Sequence, residues 1–118
     1  MEKEEKMINK PWGHEEILAN TGKYVMKKLT INCGHRMSLQ YHEVKEETIY
    51  VLSGTLIIWK SDKFSDFEVL LPGGVYHVNP KEVHRFGCPD GPEECVILEC
   101  STTELADVVR LADDYDRN

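Results

Sequence analysis

The stretch whose reading decides the fold is GHRMSLQYHEVKEETIYVLSG, residues 34–54. Residues 37–43 alternate, with Met37, Leu39 and Tyr41 on one face of a strand and Ser38, Gln40 and His42 on the other. A second strand spans 47–52, and Ser53-Gly54 is a two-residue turn into a third strand at 55–59, which together predict a hairpin. Gln40 and His42 are two apart and point the same way, while Glu47 shares a face with the apolar Ile49 and Val51. If that face looks into a small barrel, three polar groups converge on an apolar interior. Unpaired, each neutral group would cost roughly 1–3 kcal/mol and a carboxylate more. A divalent cation is the economical common partner, because it ligates an imidazole, a carboxylate and an amide oxygen together. The fourth ligand should come from elsewhere in the sheet, and His84 in VNPKEVHRF (78–86) is the candidate.

Outward from this centre, short β-rich segments recur between Gly/Pro turns. They are YVMKKLTI (24–31), 67–71, 75–79 after Pro72-Gly73-Gly74, 84–86, and ECVILEC (94–100). The hairpin around Ser53-Gly54 is apolar on both faces, which predicts a strand between a barrel interior and an outer covering layer. From Thr103, the residues Leu105, Val108, Val109 and Ala112 fall at helical spacing, which predicts one short C-terminal helix. The expected fold is therefore all-β, a sandwich or barrel of seven or eight strands. Residues 1–9 read as a charged lead-in and 10–118 as a single domain.

The net charge of -7 argues against nucleic acid and against an anionic membrane surface as partners. No apolar run is long enough to span a bilayer, and the start MEKEEKMINK lacks the apolar core of a secretory signal, so the cytoplasm is expected. Cys33, Cys88, Cys95 and Cys100 form no CxxC pair and read as free thiols of a reducing compartment. A small barrel with open strand edges also predicts a homodimer, paired through ECVILEC or an N-terminal strand.

The spacing Gly34-(x5)-Gln40-x-His42-(x4)-Glu47-(x6)-Gly54 resembles the first cupin motif, with Gln in place of its first His. Gly74-(x5)-Pro80 followed by His84 resembles the second. KPWGHEEIL (10–18), SLQYH (38–42), EETIYVLSGTL (46–56), HRF (84–86) and ADVVRLADDYDR (106–117) resemble, in order, segments of the type II mannose-6-phosphate isomerase domain. Val44 and Lys45 stand where that branch carries His and Arg. The resemblance implies a cupin double-stranded β-helix of the jelly-roll type. It also implies a divalent metal, zinc, held by Gln40, His42, Glu47 and His84. The implied activity is interconversion of mannose 6-phosphate and fructose 6-phosphate. The alternative is a non-catalytic cupin that binds a metal and a small sugar.

Isomerisation of this kind moves a proton between neighbouring carbons and needs an acid/base group and a stabilised oxyanion. The expected helpers are Arg85 as a phosphate fork, Lys28 as the inward member of the Lys27-Lys28 pair, and His77 as an accessory acid/base group.

Overall fold

The computed structural model describes residues 7–117. Among them are eleven strands and no helix: β1 Met7–Lys10, β2 Gly13–Asn20, β3 Val25–Ile31, β4 Leu39–Tyr41, β5 Glu47–Ser53, β6 Leu56–Trp59, β7 Phe67–Leu70, β8 Val75–Val78, β9 Arg85–Gly87, β10 Cys95–Ser101 and β11 Val109–Ala112. They form a six-stranded sheet ordered β1-β2-β3-β10-β5-β8, a three-stranded sheet β7-β6-β9 and a two-stranded pair β11-β4. Every pairing is antiparallel. The arrangement is a jelly-roll barrel, a double-stranded β-helix.

Period-two alternation places the core. Ile49 and Val51 of β5, Leu29 and Ile31 of β3, and Ile97 of β10 turn inward. There they meet Leu56 and Ile58 of β6 and Phe86 of β9 in one buried cluster. Each such side chain contributes about 1.5–3 kcal/mol by leaving water.

The structure corrects the predicted hairpin. β5 pairs with β10 and β8, whereas β6 pairs with β7 and β9, so Ser53-Gly54 carries the chain from one sheet to the other. Gly54 serves that crossing, with φ at 77°, and a Cβ there would collide with the backbone of Glu94 and Cys95. A two-residue turn of this kind is compatible with either outcome; the inter-sheet packing chooses. The outer face of β5 is also uncovered among the described residues, with Tyr50 43% and Leu52 42% exposed.

Both ends of the described chain differ from expectation. Residues 7–9, expected as frayed lead-in, belong to β1, which pairs with β2 from Met7↔Glu16 to Lys10↔Gly13. Residues 1–6 of that lead-in lie outside the described residues. The C-terminal helix is absent: β11 pairs instead with β4, with Val109 opposite Tyr41 and Arg110 opposite Gln40. A single short helix is marginal by itself. Here the open backbone groups of β4 and the β-branched pair Val108-Val109 favour the ladder. Asp107 completes the change, its carboxylate accepting from the backbone N–H groups of Glu43 (3.0 Å), Val44 (2.8 Å) and Lys45 (2.9 Å). These bonds hold the Asp107 carboxyl below its ordinary range. Finally, ECVILEC cannot offer a pairing edge, because β10 lies between β3 and β5; the sheet edges are β1 and β8.

Candidate metal centre

His42 follows β4, Glu47 opens β5, and His84 precedes β9. The backbone of His84 is tied to Gln40 by two hydrogen bonds, of 3.0 and 2.9 Å. That bridge brings the remote histidine to the first segment, and one donor atom from each of His42, Glu47 and His84 lies within 4.8 Å of the others. All three side chains are buried, at 2%, 3% and 1% exposure.

The tautomers follow from the outer contacts. His42 Nδ1–H donates to the Asp107 carbonyl at 2.5 Å, and His84 Nδ1–H donates to the Glu82 carbonyl at 2.9 Å. Both Nε2 atoms are therefore bare lone pairs on neutral rings, and neither has a hydrogen-bond partner. Burial depresses both imidazoles, with Lys45 adding to the effect on His42; His84 falls to about 4. The lone pairs face the Glu47 carboxylate, His42 Nε2 at 3.8 Å from Oε1 and His84 Nε2 at 3.6 Å from Oε2. Acceptors facing acceptors repel unless a cation lies between them. Ligand atoms around a tetrahedral ion, about 2.1 Å from it, stand about 3.4 Å apart, so the spacing fits a small divalent metal. Two His and one Glu are a donor set suited to a divalent metal.

Gln40 lines the same cavity, and its Oε1 accepts a hydrogen bond from Ser38 Oγ at 2.6 Å. Its oxygen is thus already engaged, as is Glu47 Oε1, which Lys45 approaches at 3.2 Å.

The predicted helpers fare differently. Arg85 is buried, but its guanidinium is committed to the carbonyls of Met37 (2.9 Å) and Ala112 (3.1 Å), which ties β11 to the chain entering β4. Lys28 lies opposite Leu98, which in turn lies opposite the exposed Tyr50, so it is on the outer face of the six-stranded sheet. The inward lysine is Lys27, 8% exposed and 3.1 Å from Glu15. The parity of Val25, Leu29 and Ile31 marks Lys27 as the inward one. His77 is on the outer face as well, bonded to Glu46 (2.9 Å) and Thr48 (2.8 Å).

In place of those three, the cavity wall carries groups to which the reading of the sequence gave no role. Lys45, 5% exposed, bridges Glu47 at 3.2 Å and Glu99 at 3.0 Å. Burial alone would depress this lysine, but Glu99 and Glu47 outweigh it and its pKa is raised. Glu99 shares the inward parity of Ile97 on β10, a signal available in ECVILEC itself. Lys45 had no such signal, since it stands in a loop. The cavity, about 110 Å³, is lined on its C-terminal side by Val108, Arg110 and Arg117, with Trp12 buried in its wall.

An all-antiparallel double-stranded β-helix with a His/Glu cluster in its mouth defines a cupin. The chain belongs to the family described as mannose-6-phosphate isomerase C-terminal, whose match covers residues 1–113. It is 29% identical over 113 residues to the alginate biosynthesis protein AlgA of Pseudomonas aeruginosa, covering 93% of this chain but 23% of that relative's length. Among solved structures it superposes on the polyketide cyclase RemF of Streptomyces resistomycificus with a TM-score of 0.79, at 21% identity, over 98% of this chain and 89% of that one. It also superposes on a cupin-superfamily sugar phosphate isomerase of Silicibacter pomeroyi with a TM-score of 0.64, at 19% identity, over 76% of this chain and 59% of that one. At such identities the two structures speak for the fold alone. No helix among the described residues is long and apolar enough to cross a membrane.

Proposed function

We propose that this chain is a metal-dependent sugar-phosphate isomerase that interconverts mannose 6-phosphate and fructose 6-phosphate. The observation that carries the reading is the pair of buried, partnerless Nε2 atoms aimed at Glu47. His42, Glu47 and His84 would hold zinc, with Gln40 as the fourth ligand once its amide turns from Ser38. Zinc would supply Lewis-acid polarisation of the sugar's oxygens. The chain's own residues do the rest. The carbonyls of Asp107 and Glu82 orient the two imidazoles. Lys45 holds Glu47 in place and, with Glu99, forms the pair nearest the centre able to hold and move a proton between adjacent carbons. Trp12 and Phe86 keep bulk water from the inner wall. The family membership and the AlgA likeness support a carbohydrate substrate. The reading places the protein in the cytoplasm, where its four free thiols stay reduced, and as a homodimer paired through the open edge of β1.

The test is a coupled assay of mannose 6-phosphate conversion with chelator-stripped and zinc-reconstituted protein. Turnover is expected in the reconstituted sample and none in the stripped one. Zinc bound at one ion per chain without turnover would favour the second reading, a non-catalytic module that binds metal and a small sugar. One observation speaks for that alternative: Lys45, where the branch carries Arg, is locked between two carboxylates rather than free to meet a substrate.

A further inference from the structure

Among the described residues, Arg110 is the one cation of the cavity wall that makes no ion pair. On β11 it lies directly opposite Gln40, and Gln40 lies opposite His84 across the isolated bridge. Cross-strand partners share a face, so Arg110, Gln40 and His84 form one row, of which Arg110 and Gln40 line the cavity. Arg110 and the metal cluster therefore stand two strand spacings apart, about 10 Å along the row. The Arg110 Nε is buried and has no hydrogen-bond partner.

Its neighbours are all served. Lys10 and Lys27 approach Glu15 at 3.6 and 3.1 Å. Lys45 approaches Glu47 and Glu99 at 3.2 and 3.0 Å. Arg117 is paired with Asp113 at 2.8 Å. These four cations and four carboxylates cancel, while Arg110 makes no ion pair among the described residues. Arg110 as a whole is half-buried, and its buried Nε–H without an acceptor costs free energy in the free protein. A planar fork of donors matches the paired oxygens of a phosphate or carboxylate.

We propose that Arg110 is the anion-recognition residue of this cavity and receives the phosphate group of a small phosphorylated ligand. The inference rests on reading the cavity as a substrate site, and it adds which end of the substrate meets which wall. The reacting carbons lie toward His42, Glu47 and His84, and the phosphate lies toward β11.

The experiment is calorimetric titration with inorganic phosphate of the wild type, Arg110→Gln and Arg110→Lys, each zinc-loaded and chelator-stripped, with zinc content and Tm measured in parallel. Saturable binding by the wild type is expected, weakened tenfold or more in Arg110→Gln and by a smaller factor in Arg110→Lys, with zinc content and Tm unchanged. If Arg110→Gln binds phosphate as the wild type does, or the wild type does not bind it, the anion site is refuted while the metal centre stands on its zinc content. If zinc fails to bind but phosphate binding still depends on Arg110 in the stripped protein, the metal reading falls and the anion site stands. A lower Tm in both variants together with unchanged phosphate affinity would make Arg110 structural and overturn the assignment.

Discussion

The same three strands build two unlike ends of one barrel. At one level Leu29, Ile97 and Val51 lie side by side across β3, β10 and β5, apolar and buried. Two residues further along β10, Lys27 and Glu99 are partners, and beyond them Glu47 faces Ser101. Backbone geometry and burial barely change between the levels; only the chemistry of the inward side chains does. The apolar end gains free energy by excluding water. The polar end spends some of it, since buried ion pairs seldom repay their desolvation. Such an end, kept at a cost in stability, is the place to look for a site.

The largest effect should come from breaking the polar end. Lys45→Met leaves Glu47 and Glu99 buried without their cation, and metal-free protein should lose about 3–5 kcal/mol in denaturant titration. Zinc should restore part of that loss. A loss below about 1 kcal/mol would mean the two carboxylates are not held as described. At the apolar end, Ile97→Ala should cost about 2–5 kcal/mol while bound zinc per chain stays constant. Zinc lost along with stability would show that the two ends are one cooperative unit rather than scaffold and site.

Metal removal comes next. Zinc at a hundred times its Kd should stabilise the wild type by about 2.7 kcal/mol, seen as a higher Tm. His84→Ala should abolish that increment, and the metal-free Tm should fall as well, because a buried ring and its bond to the Glu82 carbonyl are lost.

A smaller effect concerns the C-terminal segment that lines the polar end. Asp113 is pushed down to about 2, chiefly by its hydrogen bonds from Arg117, and Asp114 is lowered by Arg36. Depressed carboxyls bind fewer protons folded than unfolded. Their stabilisation is present above pH about 4 and is lost as pH falls toward 2. Tm measured from pH 6 to 2 should decline over that window, and less steeply in Asp113→Asn. The smallest change is expected outside the barrel. Cys100→Ser, on the exposed outer face, should shift stability by no more than about 0.5 kcal/mol by denaturant titration.

Much of this division was legible in the chain. Alternation located β3, β5, β8 and β10 to within a residue or two, because a half-buried strand writes its period directly into the sequence. His42, Glu47 and His84 were found because a buried polar group inside an apolar alternation is costly unless it has a task. Lys27 and Glu99 were equally readable by parity, yet adjacent Lys27-Lys28 offered two candidates and the wrong one was favoured. β11 was not readable: Leu105, Val108, Val109 and Ala112 do fit a helix, and only the open edge of β4 made a strand the better answer. Arg110 went unnoticed with it. Lys45 and Asp107 lie in loops, where no period reports which way a side chain turns.

By itself the sequence determined the β character, the inward faces of the main strands and the candidate trio His42, Glu47 and His84, since these follow from local period and from the cost of burying polar atoms. Tertiary structure alone decided that Ser53-Gly54 crosses between sheets, that the tail becomes β11, and that Lys45, Glu99 and Arg110 face one cavity. Those outcomes depend on which distant backbone groups and charges satisfy one another, and no local pattern encodes that choice.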